Sequence, residues 1–334
     1  MWGPCNTQSL SRMAFLLLLV FSAPIASVSP GSGGLLVIVT FPSLVHDLEL
    51  ILAPDDEVLS LVPPGADPHD YQLTPYDMEL LRRADLIVST AHTSFEAEIR
   101  RLHDEGELEG ALVEIPDVPG IKLLQNPATG QPNYHMPIYD PDNYISFVLY
   151  VRGLLVGLRP EKADYYRERS RAILAAINEL VSNSPKLNAR AAADMPVVQY
   201  AVCWLGVEIT FLLVKEHGVP ATPTDVLELE KAASEGLIEL VVVSEPVEAS
   251  ASECLEEIAE ENGIPVLYVP SPLSPASILE KLSLISQRAE LLSLSGKPSS
   301  REGAWWRTGL ILAAATALAL LIALSAAVAL YTRG

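Results

Sequence analysis

The chain has 334 residues, with 42 Asp and Glu against 22 Lys and Arg, for a net charge of −20. That balance argues against nucleic acid as a partner and suits solubility or the attraction of cations. The absence of any C-x-x-C excludes a cysteine zinc knuckle, and only Cys203 and Cys254 lie beyond the N-terminal apolar block. Two cysteines allow one disulfide in an oxidising compartment, but their spacing does not say whether they meet.

In chain order, the first feature is the apolar block Met13 to Ala26 behind Arg12, with small residues from Ala26 to Ser29. It is too short to span a bilayer and reads as a secretory signal, which assigns residues 1–29 to a leader. Strands are expected at Leu35–Thr40, Val58–Val62, Asp85–Ser89 and Ala111–Ile115, with helices starting near Ser43, Thr74 and Ser94. Continuous apolar strands separated by helices indicate a parallel sheet covered on both faces. This N-terminal α/β lobe is assigned to residues 30–160.

The segment Gly65-Ala66-Asp67-Pro68-His69-Asp70-Tyr71-Gln72-Leu73-Thr74-Pro75-Tyr76-Asp77 is the most informative. Thr74 is a good N-cap, Pro75 fits the first helical position, and Asp77 completes a capping box. His69 is thereby placed on a loop between a strand and a helix, where α/β proteins keep their ligand sites. An imidazole there can bind a metal, act as a base or do neither.

A stretch without Gly or Pro follows, from Glu161 to Ser184, in which Tyr165, Arg169, Ile173, Ile177 and Leu180 recur at three- and four-residue steps. It predicts an amphipathic helix of roughly 35 Å over residues 161–184. Alternation then resumes in residues 185–297, with strands expected at Val197–Tyr200, Leu240–Ser244 and Pro265–Val269. Thr222-Pro223-Thr224-Asp225 echoes Thr74-Pro75-Tyr76-Asp77, each leading through a helix to an apolar strand. The expected fold is α/β: two similar lobes, each a parallel sheet flanked by helices, joined by one long helix. After a linker at 298–308, the uncharged run Gly309 to Tyr331 would be roughly 34 Å long as a helix, enough to cross a bilayer. Trp305 and Trp306 at one end and Tyr331 at the other resemble an aromatic belt. The leader sends the domain outward, so a single-pass protein of the cell membrane is expected.

Residues 65–77 closely resemble the G-x-D-P-H-x-Y-x-x-T-P-x-D signature of the substrate-binding proteins of zinc and manganese ABC transporters. The resemblance implies that His69 is a metal ligand and that the partners are a permease and its ATPase. The family's second histidine motif, N-P-H-x-W-x-D-P, is matched in part by Asn133-Tyr134-His135-Met136-Pro137-Ile138-Tyr139-Asp140-Pro141, which implies His135 as a ligand. Asp142 to Asn183 looks like the family's passage out of the first lobe and down its rigid helix. The acidic, histidine-rich loop common in zinc members is missing, since 116–133 contains no histidine.

The second lobe departs from the pattern. Gln199 stands where the family carries a His or Glu ligand, and Ser271 where manganese members place an Asp. Neither supplies the missing charge, so the metal is held mainly by the first lobe or another residue fills the gap. His92, at the C-terminal end of the third strand, is the best candidate; Glu245, after the strand 240–244, is a carboxylate that could reach the cleft. His46, near the C-terminal end of the first strand but inside the next helix, is a weaker candidate, and His103 and His217, late in helices, read as solvated or as favourable partners of helix C-termini. The expected function is an extracytoplasmic protein handing Zn²⁺, or less favourably Mn²⁺ or Fe²⁺, to a permease. A cell-surface zinc hydrolase and a binding protein for an organic ligand stay open as alternatives. Against the hydrolase, the chain contains no H-E-x-x-H, G-x-S-x-G or P-loop.

Overall fold

The computed structural model describes residues 33–294, apart from 217–218 and 247–249. The leader at 1–29, His217, the linker at 298–308 and the apolar run 309–331 lie outside the described residues. Among the described residues no helix is long and apolar enough to cross a membrane.

The first half contains β1 (Leu36–Val39), α1 (Ser43–Glu49), β2 (Glu57–Ser60), α2 (Pro75–Arg83), β3 (Leu86–Ser89), α3 (Ser94–Asp104) and β4 (Ala111–Glu114). All four strands pair in parallel in the order β2-β1-β3-β4. Helices on both faces explain why β3 is buried along its whole length, as its unbroken apolar sequence requires. Helices α4 (Pro141–Leu158) and α5 (Ala163–Asn183) follow, separated by a 3₁₀ turn at Pro160–Lys162. The buried stripe of α5 is Tyr166, Ser170, Ile173 and Ile177. It is rotated by one residue, at its start, from the stripe expected at Tyr165 and Arg169. Tyr166 is drawn inward because its hydroxyl donates to Asp56 Oδ2 at 2.7 Å.

The second half repeats the plan with β5 (Arg190–Ala193), α6 (Val198–Cys203), β6 (Glu208–Leu212), α7 (Pro223–Ser234), β7 (Leu240–Glu245), α8 (Ser250–Asn262), β8 (Val266–Pro270) and α9 (Ile278–Leu294). Its parallel strand order is β6-β5-β7-β8, the same path as in the first half. One expectation fails here: residues 197–200 are not a strand but open the short helix α6. A four-residue apolar run does not distinguish the two by pattern alone, and the true strand β5 hides in Arg-Ala-Ala-Ala, a run with little strand propensity.

The lobes share one buried core that runs through both sheets and α4, α5, α6 and α9, while a smaller cluster fills the far face of the second lobe. Buried tyrosines cross between them. Tyr139 donates its hydroxyl proton to Pro270 O at 2.7 Å, and Tyr200 donates to Asn133 O at 2.6 Å. At Asp47, on α1, one carboxylate oxygen accepts from both the Tyr144 hydroxyl and the backbone N–H of Ile278.

Candidate metal centre

In both sheets the chain runs from a central strand to one neighbour and then to the other, which opens a crevice at the carboxyl ends of the strands. A cavity of about 660 Å³ lies where the two carboxyl edges meet. From the first lobe it is lined by Phe41 and Pro42 after β1, Gly65 to His69 after β2, His92 after β3, and His135.

Each histidine is set by its own local chemistry. His69 follows Gly65, whose φ of +83° suits glycine, and its N–H donates to Asp67 Oδ1 at 2.9 Å. The far end of that loop is tied by Asp77 Oδ2, which accepts from Thr74 N, Thr74 Oγ1 and the Tyr71 hydroxyl. The capping box expected from the sequence is therefore present in full.

His92 follows Ala91, a non-glycine residue at φ +58°. Its Nδ1 lies 2.9 Å from Thr90 Oγ1, and that hydroxyl spends its own proton on the Glu96 carboxylate. Thr90 Oγ1 therefore accepts, the proton of His92 sits on Nδ1, and Nε2 keeps its lone pair. Glu96 is fully buried and accepts from Ser89, Thr90, His92 and Thr93. Burial works to raise its pKa, but the electrostatic pull of the His92 ring and these hydrogen bonds, with one from Thr40, hold it below the ordinary glutamate value.

His135 is organised in the same way. Its Nδ1 lies 3.0 Å from Asn133 Oδ1, and Asn133 Nδ2 donates to Pro196 O and Gln199 Oε1. The amide orientation of Asn133 is thus fixed, its oxygen accepts, and the lone pair of His135 is on Nε2. The next residue, Met136, also has a left-handed backbone, at φ +49°. Of three described non-glycine residues with positive φ, two adjoin these histidines. Such strain gathers where the surroundings over-determine a geometry.

The rings of His69 and His92 stand with centroids 5.3 Å apart, and those of His92 and His135 with centroids 5.4 Å apart. Two imidazoles bonded to one tetrahedral zinc at about 2.0–2.1 Å have ring centres about 5 Å apart, so this spacing suits a shared ion. Among the described residues no three His, Cys, Asp or Glu side chains already close around a single point. The Nδ1 contacts of His92 and His135 fix where those two rings sit, and the spacing of the rings places all three on one side of the cavity.

The second lobe presents a different wall: Met195, Pro196, Val197, Val214, Pro246 and the run Ser271 to Pro275. Gln199 and Glu245 do not line the cavity. Gln199 Oε1 accepts from Asn133 while its Nε2 donates to Gln125 O at 2.8 Å, so both ends of the amide are spent behind His135. The carboxylate of Glu245 turns to Arg288, 2.6 Å away. Ser271 does reach the wall, where its hydroxyl oxygen accepts from Leu273 N. His46 sits outside the cavity beside Glu49, and His103 is beside Asp104. Cys203 and Cys254 are both free thiols, and Cys203 donates to Asp140 Oδ2. Sequence reasoning missed Met195, Asn133 as the anchor of His135, and Glu96 as the carboxylate behind His92. Only Glu96 had a signal, as the third helical residue after Thr93 in a capping box.

A sequence model of the family described as "Zinc-uptake complex component A periplasmic" matches residues 37–278. The chain is similar to the metal ABC transporter substrate-binding lipoprotein FimA of Streptococcus parasanguinis, 26% identical over 175 residues, covering 50% of this chain and 55% of that protein. It is also similar to the iron-binding protein YfeA of Yersinia pestis, 27% identical over 145 residues, covering 43% and 46%. The chain thus spans about half the length of these two relatives. Among solved structures, the substrate-binding protein FpvC of Pseudomonas aeruginosa in complex with Mn²⁺ matches with a TM-score of 0.65 at 19% identity, covering 79% of this chain and 100% of that one. A crystal structure of ZnuA matches with a TM-score of 0.61 at 19% identity, covering 77% and 98%. At these identities the structural likeness speaks for the fold.

Proposed function

Because the chain belongs to the family of periplasmic A components of zinc-uptake complexes, we propose that it binds a divalent transition metal outside the cytoplasm and delivers it to an ABC permease and its ATPase. Zinc is the preferred cargo, with Mn²⁺ or Fe²⁺ as weaker alternatives. In this reading His69, His92 and His135 hold the ion, and residues 309–331 tether the exported domain to the membrane. The observation that carries it is the row of three imidazoles on one carboxyl edge, two of them with Nδ1 held by a neighbouring oxygen. Neutral imidazoles favour zinc, whereas manganese prefers hard oxygen ligands. The reading makes the protein a carrier rather than an enzyme. Glu96, the carboxylate behind His92, is saturated with donors and poorly placed to take a proton from water.

Zinc titration of the wild type and of His69→Ala, His92→Ala and His135→Ala tests it. Each substitution should weaken binding by well over tenfold, more than about 1.4 kcal/mol. Manganese bound more tightly than zinc would overturn the preference. Unchanged affinity in all three variants would overturn the site.

A further inference from the structure

Resting on the reading of these imidazoles as a metal centre, we propose that Glu216 is the carboxylate ligand contributed by the second lobe. Three neutral imidazoles leave the full charge of a divalent ion facing a wall made largely of Met195, Pro196, Val197 and Val214. Such a charge is costly to desolvate without an anionic partner. Glu216 lies just beyond Val214, on the loop between β6 and α7. That loop is the counterpart of the one between β2 and α2, which carries His69, because β6 holds the place in its sheet that β2 holds in the other. Both loops end in the same capping box, Thr74 with Asp77 and Thr222 with Asp225.

The geometry then singles out one atom. Glu216 is not itself among the residues that line the cavity, but its Oε2 is 3.8 Å from Nε2 of His135, which is. Two ligand atoms on a tetrahedral zinc with bonds of about 2.0–2.1 Å stand about 3.3 Å apart, so a small turn of the side chain completes the pair. The other oxygen, Oε1, accepts from Asn126 Nδ2 at 3.0 Å, and Asn126 is wholly buried and donates also to Lys215 O. The adjacent Lys215 ammonium is taken by Asp225 at 2.7 Å and does not neutralise Glu216. Glu216 is not simply the outer partner that orients the ring, because Asn133 fills that role at Nδ1.

The test uses the full chain with zinc and cobalt as probes. Glu216→Ala and Glu216→Gln should each weaken zinc binding at least tenfold, and the metal-free Glu216→Gln protein, which keeps an oxygen for Asn126, should melt as the wild type does. Glu216→Cys should acquire a near-ultraviolet sulfur-to-cobalt charge-transfer band that disappears when His135→Ala is added, a signature that only direct ligation produces. Wild-type zinc affinity in Glu216→Ala, or cobalt bound by Glu216→Cys without that band, would overturn the assignment and leave the three-histidine site standing. A wild-type protein that binds neither metal would overturn the metal centre itself.

Discussion

The two lobes trace the same path, β2-β1-β3-β4 against β6-β5-β7-β8, yet their carboxyl edges carry opposite chemistry. Beyond β3 stands His92, buttressed by a buried carboxylate; beyond the equivalent β7 stands Pro246. The buried acids behind the two edges differ as well. Glu96 accepts hydrogen bonds on both oxygens and is held in its charged form. Asp194, just after β5, accepts from Ser244 N and Ser252 Oγ on one oxygen, and its buried Oδ1 has no partner. Burial raises its pKa above the ordinary aspartate value, against the pull of those hydrogen bonds. The backbone plan therefore provides two equivalent edges, and side-chain chemistry lines one with imidazoles and the other with a largely apolar wall.

The comparison breaks first at Glu96. Glu96→Gln sets an amide NH₂ against backbone and hydroxyl donors, so about 10–100-fold of zinc affinity should be lost through misplacement of His92. Calorimetric titration of the variant measures it, and unaltered affinity would show that His92 needs no support. A smaller effect is expected at Gln199, which acts at one remove by holding Asn133. Gln199→Ala should weaken zinc by roughly threefold to tenfold, less than about 1.4 kcal/mol. A loss as large as that of His135→Ala would mean that the second lobe is an equal partner in holding the ring.

The smallest effect concerns the acid on the opposite edge. A folded-state pKa raised above the unfolded value means that Asp194 stabilises the fold most at low pH, where both states are protonated, and that this contribution fades as pH rises. Denaturant melts of the wild type and Asp194→Asn should therefore be closest near pH 4, with the variant gaining on the wild type toward pH 7. A difference that does not change with pH would mean that folding does not raise the pKa of Asp194.

Much of this was legible in the sequence because it is local. The Thr74 to Asp77 capping box, the apolar strands of the first lobe and the histidine-bearing loops at their carboxyl ends all follow from short-range pattern. What escaped is set by tertiary context. The Ala-rich β5 is a strand because it lies between two others, and Val197–Tyr200 became helical for want of a ladder to join. Gln199, expected from the sequence at the position of a family ligand, is turned behind His135 by Asn133 and Gln125, which no spacing rule foretells. The same holds for Glu245, claimed by Arg288 on the distant α9.

The shared core between the lobes has a kinetic consequence. Swinging the carboxyl edges apart like jaws would break the hydrogen bonds of Tyr139 and Tyr200 and wet apolar surface now sealed between the halves. At roughly 25 cal/mol per Å² of apolar surface exposed, such an opening works against a sizeable share of a domain's stability. An ion seated here would dwell in a socket rather than a trap. Its residence time would be set by how quickly the rim loops flex and the donor atoms let go one after another, so an acceptor protein would have to draw the cargo out by exchanging ligands.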